Sequence, residues 1–137
     1  MNPETKVLIL DSYALLAYLG GEPGQQRIVD ALMGAKEGRC RLLLCMINFG
    51  EVLYMTERRR GFSTAQSVQA LIEHLPIELH NANRNVVLDA AHVKANHAIS
   101  YADAFVVAIA QREGGVVLTG DPEFKSVEEL VPVEWLG

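Results

Sequence analysis

Four acidic residues interrupt apolar sequence at widely separated points. Asp11 ends the run Val-Leu-Ile-Leu, and Glu51 lies in Asn48-Phe-Gly-Glu-Val-Leu. Asp103 lies in Ile99-Ser-Tyr-Ala-Asp-Ala-Phe-Val-Val, and Asp121 follows Val-Val-Leu-Thr-Gly. A carboxylate bordering a core needs a partner, because desolvation disfavours its charged form. At ~4 Å and an effective dielectric of ~20, each pair of such charges repels by about 4 kcal/mol before relaxation. No Lys or Arg adjoins Asp11, Asp103 or Asp121, the nearest being Lys125. A divalent cation relieves the repulsion instead. Oxygen-only ligands without Cys or His suit magnesium, with manganese as the substitute. Such an ion polarises a phosphoryl oxygen and lowers the pKa of water for hydrolysis.

The pattern of apolar runs says how these acids are positioned. Residues 6–10 and 116–119 read as short buried parallel strands, so Asp11 and Asp121 fall at or just past their carboxyl ends. Asp11-Ser12 caps a helix to about residue 19, and a second helix spans 25–36. Residues 41–45 form a strand and 47–60 a helix stopped by Gly61. Glu51 sits one turn into that helix, with Asn48 three residues earlier on the same face. Another helix starts at Ser63 or Thr64, then a strand over 76–79 and a helix over 83–96. Ser100 opens a helix to residue 112, with Asp103 placed as in a capping box. Residues 131–135 make an edge strand. Strands separated by helices predict an α/β fold, a parallel sheet covered on both faces. Ligands bind such sheets at the carboxyl edge, where the acids lie.

Each acid also has a plainer reading. Asp11 serves as an N-cap, Glu51 as a solvated helix residue, Asp103 as the completion of the cap at Ser100, and Asp121-Pro122 as a turn. Four coincidences at one sheet edge are harder to accept than one site.

With 137 residues, half of them apolar, the chain has room for one globular domain over 1–137. Its net charge of −5 argues against broad, sequence-blind nucleic-acid binding, but a carboxylate cluster neutralised by metal is consistent with it. Cys40 and Cys45 lack zinc spacing and read as structural thiols in a reducing compartment. No segment reaches the ~20 apolar residues of a membrane span, which predicts a soluble, cytoplasmic protein. The four histidines lie apart without ligand spacing. Arg58-Arg59-Arg60 either favours a helix C-terminus or meets phosphate groups or an acidic partner segment, and Lys94 and Lys125 are further phosphate candidates. Tyr101 and Phe105 read as core in preference to platforms on which bases stack. Phe49, Tyr54 and Met55 read as core or as a surface for a second copy or another protein.

Taken in order, Leu-Asp11-Ser-Tyr-Ala-Leu-Leu-Ala-Tyr-Leu, Asn48-Phe-Gly-Glu51-Val, Ser100-Tyr-Ala-Asp103-Ala-Phe and Leu-Thr119-Gly-Asp121-Pro-Glu-Phe resemble a PIN domain. More narrowly, the set is similar to the VapC-type toxins of prokaryotic toxin–antitoxin pairs, over nearly the whole chain. The resemblance implies a three-layer α/β/α sandwich with a mostly parallel sheet of four to five strands. It implies a Mg²⁺-dependent endoribonuclease in which Asp11, Glu51, Asp103 and Asp121 are the catalytic, metal-binding quartet. Thr119 then supports the site with its hydroxyl, and Asn48 supports Glu51. A cognate antitoxin, an RNA substrate and homodimerisation are implied with them, with no role for a membrane.

Two rival readings differ in chemistry. A phosphatase of the haloacid-dehalogenase type needs Asp-x-Asp after the first strand, yet position 13 is Tyr. A phospho-acceptor receiver domain lacks its acidic pair and late Lys. A PIN scaffold kept only for protein interaction is the other alternative, and the intact quartet speaks against it.

Overall fold

The computed structural model describes residues 5–137, so residues 1–4 of the domain expected over 1–137 lie outside the described residues. Strands and helices alternate as β1 (Lys6–Leu10), α1 (Ser12–Gly20), α2 (Gln25–Lys36), β2 (Cys40–Cys45), α3 (Met46–Arg60), α4 (Phe62–His74) and β3 (Glu78–His80). They continue through α5 (Arg84–Asn96), α6 (Tyr101–Glu113), β4 (Val116–Thr119), a 3₁₀ helix (Pro122–Val127) and β5 (Val133–Trp135). The sheet has five strands in the order β3-β2-β1-β4-β5, and every neighbouring pair is parallel.

Period-two alternation splits the core between the two faces of this sheet. Leu8 and Leu10 of β1 pack with Leu42, Leu44 and Leu118 against α1–α4 through Leu15, Ile28, Phe49 and Ile72. Ile9, Leu43 and Val117 point the other way, onto α5, α6 and the 3₁₀ helix through Val86, Ala90, Phe105, Ile109 and Phe124. Helix α6 is buried continuously from Asp103 to Ala110, which explains its apolar sequence on every side. Among the described residues, no helix is long and apolar enough to cross a membrane.

The boundaries depart from expectation where proline intervenes. The strand expected over 76–79 begins at Glu78, because Ile77 N–H bonds Leu75 O at 2.7 Å in the turn that leaves α4. The strand expected from 131 begins at Val133. Val131 spends its N–H on Val127 O, and Pro132 has none to give. The stretch after Asp121, expected only as a turn, continues as the 3₁₀ helix with proline in its first turn. That difference bears on the site.

Candidate active site

Strand β1 lies between β2 and β4. The chain builds outward to β3 on one side before returning to β4 and β5 on the other. The connections leaving β1 and β4 therefore diverge, α1 to one face and the 3₁₀ helix to the other, and a crevice opens at their carboxyl ends.

Asp11 closes β1 and N-caps α1, its Oδ1 accepting from the Ala14 N–H at 2.8 Å. The Thr119 hydroxyl, at the end of β4, donates to Asp11 Oδ2. Thr119 Oγ1 in turn accepts the Asp121 N–H at 3.0 Å, so one buried hydroxyl joins the two strand ends. Asp121 in turn caps the 3₁₀ helix, accepting the Glu123 N–H at 3.0 Å. The plainer readings of Asp11 as an N-cap and of Asp121 as a turn former hold, and the same geometry turns both acids toward one crevice.

Helix α6 brings the third acid. Ser100 accepts the Asp103 N–H at 3.2 Å, one half of the expected capping box. In place of the other half, the Asp103 carboxyl lies against that of Glu123. Carboxylate oxygens of Asp103, Asp121 and Glu123 lie within 4.8 Å of one another.

Asn48 ties this arrangement to α3. Wholly buried, it donates to Ala102 O at 3.3 Å and approaches the Ser12 hydroxyl at 3.5 Å, touching the residues beside Asp103 and Asp11. Its Oδ1 has no partner among the described residues. The Ser12 hydroxyl donates to Glu51 Oε1. Glu51 thus stands next to Asp11 through Ser12 and outside the group of three mutually close acids.

Burial first, then the Asp121 charge, pushes the Asp11 carboxyl up to about 7, against the opposing bonds from Thr119 and Ala14. Asp103 is pushed up to about 8 by burial, by hydrogen bonding with Glu123 and by the charges of Asp11, Asp121 and Glu123. Every charge acting on Asp103 is another carboxylate. Among the described residues, none of the five acids forms a salt bridge. The donor set is oxygen only, negative and preformed, which fits a hard divalent cation. Asp103, Asp121 and Glu123 are placed to hold one, with Asp11 beside them.

The model of the PIN domain family matches residues 8–130. The chain belongs to the PIN domain family. No curated protein matches it. Solved structures with the same fold include VapBC2 from Rickettsia felis bound to a DNA fragment from its promoter. It is 13% identical over 96% of this chain and 99% of that one, with a TM-score of 0.76. DNA-bound VapBC from Salmonella typhimurium is 17% identical over 95% and 98%, at 0.74. VapC20 from Mycobacterium tuberculosis, a sarcin–ricin loop cleaving toxin, is 15% identical over 88% and 94%, at 0.71. At these identities the likeness is one of fold. The expected PIN-like α/β/α sandwich is the observed one, with all five strands parallel.

Within this PIN domain, sequence reading missed Glu123. Its signal was available: it follows Asp121 by two residues and precedes the core residue Phe124. What was missing was the 3₁₀ turn that swings it toward Asp103. Of the aromatic residues left open, Phe49 and Phe105 are core, whereas Tyr54 and Tyr101 are about half exposed. Arg58 lies over the Tyr54 ring at 5.0 Å, and Arg59 and Arg60 line a groove between α1, α3 and α4.

Proposed function

We propose that this PIN domain is a Mg²⁺-dependent endoribonuclease that hydrolyses RNA phosphodiester bonds, the toxin of a type II toxin–antitoxin system. The observation that carries the reading is the convergence of Asp103, Asp121 and Glu123 within 4.8 Å, next to Asp11, with no basic side chain among the described residues paired to any of them. Such a cluster, when ionised, is costly to fold unless protons or a cation neutralise it.

Asp11, Asp103, Asp121 and Glu51 are the proposed catalytic acids, and Glu123 joins them as a metal ligand. Mg²⁺, with Mn²⁺ as a substitute, supplies a Lewis acid for the phosphoryl oxygen and a lowered pKa for attacking water. The protein's part is positional. Thr119 fixes the Asp11 carboxylate, Asn48 holds α3 and α6 together, and Ser12 orients Glu51 toward the crevice. The proton that burial and neighbouring carboxylates keep on Asp103 is released as a cation binds. With water as nucleophile, the products carry 5′-phosphate and 3′-hydroxyl ends.

The partners belong to the same proposal. Fold neighbours named as VapBC complexes support a cognate antitoxin, and homodimerisation and a cytoplasmic setting follow from the same family reading. Incubation of the purified protein with mixed cellular RNA and Mg²⁺ tests the activity. New 5′-phosphate ends that vanish on chelation are expected. A 2′,3′-cyclic phosphate product would refute the water-attack chemistry.

A further inference from the structure

Tyr13 follows Asp11 by two residues and is a large aromatic left 43% exposed. Its ring rests on Gly120, between Thr119 and Asp121. A Cβ at position 120 would lie 2.3 Å from Cε1, 2.6 Å from Cζ and 2.8 Å from the hydroxyl oxygen of Tyr13. Gly120 does not have a positive φ, so backbone conformation does not call for glycine there. The close approach of the ring does. Glycine at 120 is the seat that lets Tyr13 lie beside the strand end carrying Asp121.

The same tyrosine lines the groove of about 460 Å³ between α1, α3 and α4, where Arg59 and Arg60 contribute the basic side chains. A phosphodiester brought to the carboxylates therefore has an exposed aromatic ring beside it and arginines farther along the groove. That combination suits single-stranded nucleic acid, whose bases stack on aromatic rings while its phosphates meet cations. Tyr101, the other exposed tyrosine near the acids, is already engaged edge-on with Phe105 at 5.0 Å.

We propose that Tyr13 is a substrate-contacting residue that stacks on the base of a nucleotide beside the scissile phosphate, held in place by Gly120. The proposal rests on the ribonuclease reading and adds a specific contact to it.

The test is fluorescence anisotropy with a labelled single-stranded oligoribonucleotide and a series in which one abasic position is walked along it. The Asp103→Asn background with Mg²⁺ keeps the RNA bound and uncut. The intact strand should bind about tenfold more tightly than one abasic member of the series. Tyr13→Ala should lose that tenfold on the intact strand and nothing on that abasic strand. Tyr13→Phe should keep it, and Gly120→Ala should behave as Tyr13→Ala. An equal loss on intact and abasic strands, no loss at all, or no RNA binding would overturn the proposal. The same stacking pattern, alongside a parent protein with Asp103 intact that cuts no RNA, would sink the nuclease reading alone. Cleavage without any Tyr13 effect would sink this proposal alone.

Discussion

The hydroxyl of Thr119 donates to the carboxylate of Asp11, 108 positions earlier in the chain. Because β1 and β4 are neighbours with Leu10 paired to Leu118, the residues that end the two strands face each other directly. The same Thr119 oxygen accepts the Asp121 N–H, so it sets the spacing of two of the acids.

Thr119→Val removes that donor while keeping the shape. The bond holds the Asp11 pKa down, so its loss should raise that pKa further and move the acid limb of the pH–activity profile upward. Metal affinity or activity should fall by about 10–100-fold, as when the support of a ligand is removed. Thr119→Ser should restore most of both.

Stability should depend on pH with a definite sign. Asp11 and Asp103 have folded-state pKa values near 7 and near 8, against ordinary values near 4. Between those limits the folded chain binds more protons than the unfolded one. Their contribution to stability is therefore fully present below about pH 4 and is lost as pH rises to about 8. Mg²⁺ replaces the protons. At a hundredfold excess over Kd it should stabilise by about 2.7 kcal/mol, roughly 8 °C for a chain of this size. Thermal melts with and without Mg²⁺ check this, and the increment should be larger at pH 8 than at pH 5.

Asn48→Ala severs the tie from α3 to Ala102 and Ser12. It should cost about 1–3 kcal/mol in urea denaturation, the price of stranding buried polar groups. Activity should fall by more than that loss of folded protein explains, since Asp103, Asp11 and Glu51 all sit beside the broken contacts. Equal activity per folded molecule would assign Asn48 to stability alone.

Glu123→Gln removes one of the three mutually close acids and a charge that helps to raise the Asp103 pKa. The Asp103 pKa should drop, and Mg²⁺ binding should weaken by about tenfold or more. Isothermal titration at two pH values reads both effects, because fewer protons are released per ion bound.

These results mark which parts were legible in sequence. Asp11, Asp103 and Asp121 stood out because each interrupts apolar sequence beside a strand end or at a helix start, and parallel topology brings those ends together. Glu123 did not, because its approach to Asp103 depends on a 3₁₀ turn after Asp121, and Pro122 reads equally well as a plain turn. Glu51 was placed on the right helix and face, but its bond to Ser12 depends on a side-chain geometry that periodicity does not give. The role of Gly120 was invisible for the same reason, since a close approach from Tyr13 leaves no trace in spacing. Strand ends at Glu78 and Val133 shifted because nearby prolines and turn bonds took N–H groups that the ladder would have used.

The most direct measurement is Mn²⁺ binding followed by electron paramagnetic resonance, in the parent protein and in Asp103→Asn. The parent should bind the ion, and the variant should bind it at least tenfold more weakly while its circular dichroism stays unchanged. Equal binding by both proteins, or none by the parent, would contradict the assignment of these acids as a metal site.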